Sequence, residues 1–180
     1  MAIRWRDDGF KYGAITRALH WSVAGLLAWQ FLGMAVKLIV GRSELTAFMV
    51  GSHKPIGTLL MVLIVSRALW GLYNLRQRPS HGGGLLGMAA LGGHLLLYGL
   101  MLVVPFLALL RQYGSGRPLE VFGLTLMPGG YPEIAWMTAP GDALHGLLAW
   151  VLLAAIVGHI GMVLVHRYVW KDNAVGRMMG

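Results

Sequence analysis

Four long stretches nearly free of charge limit what this chain can fold into. Ala18 to Val36, Gly82 to Leu110 and Ala143 to His166 contain no Asp, Glu, Lys or Arg. Leu45 to Tyr73 is largely apolar but is interrupted by His53, Lys54, Pro55 and Arg67. A hydrocarbon layer about 30 Å thick is crossed by roughly 20 apolar helical residues. Inside it every backbone N–H and C=O must be satisfied within the segment, which selects helices. With 57% hydrophobic and 12% charged residues in 180, the composition is that of a membrane protein and not of a soluble core. The expected fold is all-α: one domain over residues 1–180, an integral membrane four-helix bundle. Its helices are expected at about 15–38, 45–74, 85–111 and 142–168. Pro55 removes a backbone donor and should kink the second helix near Gly51.

The ends of these helices carry the charge. Ten of the fifteen Lys and Arg residues fall on one side: Arg4, Arg6, Lys11 and Arg17, then Arg67, Arg76 and Arg78, then Arg167, Lys171 and Arg177. Lys37, Arg42, Lys54, Arg111 and Arg117 fall on the other. The asymmetry places both termini in the cytoplasm. The formal charge of +8 then reports topology and contact with anionic lipid, and argues against a nucleic-acid partner. The N-terminal sequence has no short apolar region followed by a small-residue cleavage site, so the first helix is expected to remain in the mature protein. Absence of cysteine excludes disulfides, thiolate ligands and Fe–S clusters. "HGGGLLGMAALGGH", from His81 to His94, is glycine-rich enough for close helix approach or for a flat ligand against the backbone. Arg111 to Asp142 is the one long extramembrane loop.

Ionisable groups inside a bilayer are costly and mark function by default. His145 and His159 stand fourteen positions apart in the last span, roughly 21 Å along a helix and within about 40° of the same face. One helix can therefore offer an imidazole to each of two sites near opposite membrane surfaces. Measured from the middle of each apolar run, His145 lies roughly 14 Å and His53 roughly 10 Å toward the outer side. Toward the inner side, His159 lies roughly 7 Å, His20 roughly 10 Å and His94 roughly 5 Å from the centre, with His166 at the interface near 17 Å. Depth thus pairs His53 with His145, and leaves both His20 and His94 open as partners of His159. Two stacked imidazole pairs are what two six-coordinate b-type haems require. Zinc would want four ligands, with carboxylates or thiols among them. A proton relay would normally include Asp or Glu within the spans.

These residues carry a family likeness. "ITRALHW" opening the first helix, His53 before the second apolar run, "GHLLLYGL" in the third, and "LHGLLAW" with "VGHIGMVLVHRYVWKDN" in the fourth together resemble the bacterial cytochrome b561 family. That family comprises small dihaem proteins of the inner membrane, and the resemblance spans nearly the whole chain. It implies His20 and His159 on the cytoplasmic-side haem, and His53 and His145 on the periplasmic-side haem. "HKPIG" around His53 is richer in proline than the family pattern, which bears on local helix geometry.

Arg67, fourteen positions after His53, lies at inner-haem depth and suits a haem propionate, since guanidinium binds carboxylates in bidentate fashion; an interfacial snorkelling arginine is the plain alternative. His94 suits a propionate contact, a second pocket or a helix–helix hydrogen bond. The resemblance implies electron transfer across the membrane through two haem b groups, with ubiquinone reduced near the inner haem and superoxide as an electron donor outside. The activity the resemblance implies is that of a superoxide:ubiquinone oxidoreductase. Lys54, with Lys37 and Arg42 nearby in sequence, would attract a small anion. His166, Trp170 and Lys171 supply the hydrogen-bond donors, aromatic wall and proton source that a quinone needs, or else form a basic, aromatic membrane anchor. The competing reading is a cytochrome b subunit passing electrons from a partner dehydrogenase or hydrogenase to quinone; a haem-free bundle would make the histidine depths a coincidence.

Overall fold

The computed structural model describes residues 4–79 and 82–179. His81, expected on an exposed loop, lies outside them. Six helices are described: α1 (Ala14–Val40), α2 (Glu44–Gly51), α3 (His53–Tyr73), α4 (Gly84–Gly114), α5 (Ala135–Leu164) and α6 (Ala174–Met179). Four runs, namely α1, α2 with α3, α4, and α5 continued to Trp170, are long and apolar enough to cross a membrane. α1 packs on α3, α3 on α4 and α4 on α5. The buried centre is made by Val23, Leu60, Ile64, Leu100, Met101 and Leu152. Leu152 is seven positions from both His145 and His159, and Leu60 is seven from both His53 and Arg67. An apolar layer therefore separates two polar levels.

The second span is interrupted at Ser52, where α2 gives way to α3 beside the kink expected near Gly51. Ser43 and Thr46 form a capping box at the start of α2, and the chain restarts at His53. Pro55 is the third residue of α3, where a backbone N–H has no intrahelical acceptor to lose. The junction is held by α1: Trp29 Nε1 donates to Ser52 Oγ at 2.9 Å, and Gln30 Nε2 donates to the His53 carbonyl at 2.9 Å.

The loop after α4 adds a small hairpin to the helical bundle. Leu119–Val121 (β1) and Leu124–Met127 (β2) pair antiparallel, with Val121 opposite Leu124. Phe122 and Gly123 both take positive φ, 50° and 82°, the requirement of a tight two-residue hairpin turn. α5 also begins earlier than the apolar run implied. A Cβ at Gly114 would meet Met137 Cβ at 2.5 Å, and one at Gly141 would meet the Leu107 carbonyl at 2.8 Å. Close packing of α5 on α4 thus supports helix through Pro140, which composition alone reads as a breaker.

At the opposite end the N-terminal segment folds under the bundle. Gly9 N donates to the Gln77 carbonyl at 2.7 Å and Tyr12 N to the Arg177 carbonyl at 3.1 Å. Both terminal segments therefore share the end that carries the α3–α4 connection. The Asp7 side chain is fully buried there, accepting from Gly13 N at 2.8 Å and Thr16 Oγ1 at 2.7 Å, with Arg78 Nε at 3.4 Å. Thr16 Oγ1 in turn accepts from Trp70 Nε1 at 2.9 Å.

Candidate functional site

His53, in the first turn of α3, and His145, in α5, face one another with ring centres 6.2 Å apart and planes at 85°. The His145 Nδ1–H donates to the Val104 carbonyl at 3.0 Å. That bond fixes the tautomer, leaving the Nε2 lone pair available to a metal. His53 and His145 are the residues that would hold a haem iron at this level through their imidazole nitrogens. Lys37, Arg42 and Lys54 are exposed at this end, and Lys37 is within electrostatic reach of His53.

The inner level holds three imidazoles and a guanidinium. His94 and His159 have ring centres 5.5 Å apart, and the His94 Nδ1–H donates to the Ala90 carbonyl at 2.7 Å. Arg67 donates through Nη2 to His20 Nδ1 at 2.9 Å and stacks 5.1 Å from the Tyr98 ring centre. Arg67 Nε is buried without a hydrogen-bond partner. Among the described residues no carboxylate bonds this half-buried arginine, which suits an incoming acidic group. The structure thus brings His20, His94, His159 and Arg67 to one level, and sets the ring of His94 against His159.

Among the glycines of the third span, a Cβ at Gly92 or Gly93 would meet nothing within 4 Å. These positions do not serve helix contact; they leave open surface against which a flat group can lie.

Beyond Leu164 the chain widens into a π-helical turn, Val165–Trp170. His166 and Trp170 meet edge to face there, with ring centres 4.6 Å apart. Lys171 takes a left-handed conformation, φ 52°, and ends the turn. The chain then curls back, so that the His166 Nδ1–H donates to Asp172 Oδ2 at 2.6 Å.

The sequence pattern of the family described as prokaryotic cytochrome b561 matches residues 11–180. The chain belongs to the prokaryotic cytochrome b561 family. It is 31% identical to cytochrome b561 homolog 2 of Escherichia coli K12, over 94% of this chain and 92% of that one. A "probable superoxide oxidase CybB" of Yersinia pestis is 28% identical over 94% and 96% of the two chains. Cytochrome b562 of Cereibacter sphaeroides is 28% identical over 97% of each. Membership makes this a multi-pass membrane cytochrome of electron transfer and implies haem b as its cofactor. The residues present fit such a group, through paired imidazoles, a half-buried arginine whose enclosed Nε lacks a hydrogen bond, and open glycine surface.

Within this b561 frame, two residues were missed by reading the sequence. Asp172 lies within "WKDN", and an acid six positions after a histidine can meet it once the helix ends. Tyr98, on α4 beneath Arg67, gave no signal, because a tyrosine in an apolar span reads as packing.

Proposed function

We propose that the protein carries two b haems, one at each polar level, and moves electrons from a donor at the outer face to a quinone at the inner face. His53 and His145 hold the outer haem. His20 and His159 hold the inner one, with Arg67 free to bind its carboxylates and His94 beside His159. The haems supply one-electron carriers when bound; the chain positions them. The observation that carries the reading is the register of α5. Its two histidines are separated by fourteen positions, with Leu152 buried midway, His53 facing the outer one, and both His20 and His94 near the inner one.

Arg67 can only donate, so its contact with His20 Nδ1 selects the tautomer with the proton on Nε2. Ligation through Nε2 requires the other tautomer, so His20 and Arg67 must part when His20 binds iron. The freed guanidinium is then available to a haem carboxylate, which offsets its charge inside the span.

Superoxide is the proposed outer donor, drawn by Lys37, Arg42 and Lys54. Ubiquinone is the inner acceptor, at His166, Trp170 and Lys171. Two superoxide anions give up one electron each to become dioxygen, and the quinone takes both electrons with two protons from the inner side. The likeness to the Yersinia protein supports the donor assignment. The arginine and lysine asymmetry supports a bacterial inner-membrane location with cytoplasmic termini.

A pyridine haemochrome assay with a reduced-minus-oxidised spectrum tests the reading. Two haems per chain are expected, and His53→Ala or His145→Ala should each empty the outer site alone. One haem in the parent protein refutes the two-site arrangement.

A further inference from the structure

We propose that Asp172 is a positioning residue for quinone reduction: it holds His166 with Nε2 turned outward and balances the imidazolium that delivers a proton to the quinone. The proposal rests on the quinone reading above and deepens it.

The geometry begins with the π-helical turn. Its wide winding sets the His166 ring edge to face with Trp170 at 4.6 Å, and single-turn π segments are frequent at functional sites. Left-handed Lys171 then reverses the chain, and Asp172 N donates to the His166 carbonyl at 3.2 Å. Asp172 divides its carboxylate between two tasks. Oδ1 accepts from Ala174 N at 2.9 Å, and Oδ2 accepts from His166 Nδ1 at 2.6 Å. The imidazole is thereby oriented, and Nε2 is the ring nitrogen left for a ligand.

The charged groups around this pair come from two elements. Arg177 of α6 acts on Asp172. Arg167, on the turn itself, lies 5.7 Å from the Tyr168 ring centre, and Lys171 is exposed. Among the described residues, Asp172 is thus the acid bonded to His166 in a basic neighbourhood.

A quinone that receives electrons from the inner haem gains charge on its oxygens. Protonated His166 gives up its Nε2 proton: the N–H bond breaks, an O–H bond forms on the quinone, and the imidazole is left neutral with Nδ1–H still on Asp172. A proton from water on the inner side reloads Nε2 for the second transfer.

The test compares Asp172→Asn with the parent in the haem-loaded protein, following reoxidation of the reduced haems by a short-chain ubiquinone analogue from pH 5 to 9. Asparagine retains a side-chain oxygen for the Ala174 amide, so α6 keeps its cap while the charge is lost. The expected result is an altered pH profile with roughly tenfold slower reoxidation at pH 7.5. Haem content and spectra should stay unchanged, and Asp172→Glu should restore part of the profile. An unchanged profile in Asp172→Asn, with His166→Ala still slow, overturns the role of Asp172 alone. Unchanged quinone kinetics in His166→Ala overturns the quinone site itself, and this inference with it.

Discussion

Replacing Asp7 with alanine should destabilise the bundle more than any change at the exposed inner surface. The Asp7 carboxylate is wholly buried and accepts from Gly13 N and Thr16 Oγ1, while Arg78 stands at 3.4 Å as its counter-charge. Alanine leaves three consequences: a backbone N–H without acceptor at the start of α1, a hydroxyl without acceptor, and a guanidinium without a counter-ion. Breaking a buried ion pair by removing one partner costs roughly 3–5 kcal/mol, largely because the surviving charge is uncompensated. Each lost bond to a charged acceptor alone would cost about 1.5–3 kcal/mol. These losses share the same atoms and do not add, so the expected total stays near 3–5 kcal/mol. For a chain of this length that is a fall in Tm of about 10 °C.

Thermal unfolding of the haem-loaded protein in detergent, followed by loss of the haem absorption band, gives the measurement. The control is Asp7→Ala combined with Arg78→Met, which removes the stranded charge. It should recover a substantial part of the lost stability, and a double-mutant cycle isolates the coupling. A fall below about 1 kcal/mol in Asp7→Ala would refute the reasoning. So would a double variant no more stable than the single one, since the penalty would then owe nothing to Arg78.

Three further outcomes follow from particular contacts. His20→Ala should lose the inner haem while His94→Ala keeps both, read by haemochrome content; equal loss in the two variants would refute the assignment of His20. Gly114→Leu should destabilise by at least about 1–3 kcal/mol, because even a Cβ there meets Met137 Cβ at 2.5 Å; an unaltered unfolding midpoint would show that α4 and α5 separate freely. Asp172 is held below its ordinary value of 3.8, first by the Ala174 amide and then by His166. A depressed carboxyl pKa gives stability that is complete above the unfolded value and fades as pH falls through the folded one. Amide exchange at Ala174 should therefore remain slow at pH 5 and quicken only below about pH 4; quickening between pH 5 and 6 would contradict that sign.

The membrane-spanning runs were legible because apolar length is a one-dimensional property: about 20 uncharged residues bound a helix whatever surrounds it. Their ends were less legible, because ends are fixed by neighbours. α5 starts at Ala135 and not near Asp142, since Gly141 and Gly114 let it lie directly on α4, a contact that no count of apolar residues contains. The hairpin was missed for a related reason. Its turn needs positive φ at Phe122 and Gly123, and a Phe-Gly pair is a weaker turn signal than Asn-Gly or Asp-Gly.

The histidines show the same division between what a sequence carries and what only packing decides. Position along a helix is worth about 1.5 Å per residue, so depth follows directly from number, and depth singled out His53 as the partner of His145; their rings lie 6.2 Å apart. The direction a side chain takes around the bundle axis depends on how each helix is rotated against its neighbours. His20 and His94 share a depth but project from α1 and α4, and depth leaves them equivalent. The structure separates them by what each already holds: His94 donates to its own helix at Ala90 and faces His159, whereas His20 accepts from Arg67. On the proposed assignment the choice between them would turn on a proton. His20 would ligate through Nε2 only after Arg67 withdraws from Nδ1, and a carboxylate entering with the haem would give Arg67 reason to do so. Cofactor entry and ligand choice at this level would then be one event, with Arg67 coupling them.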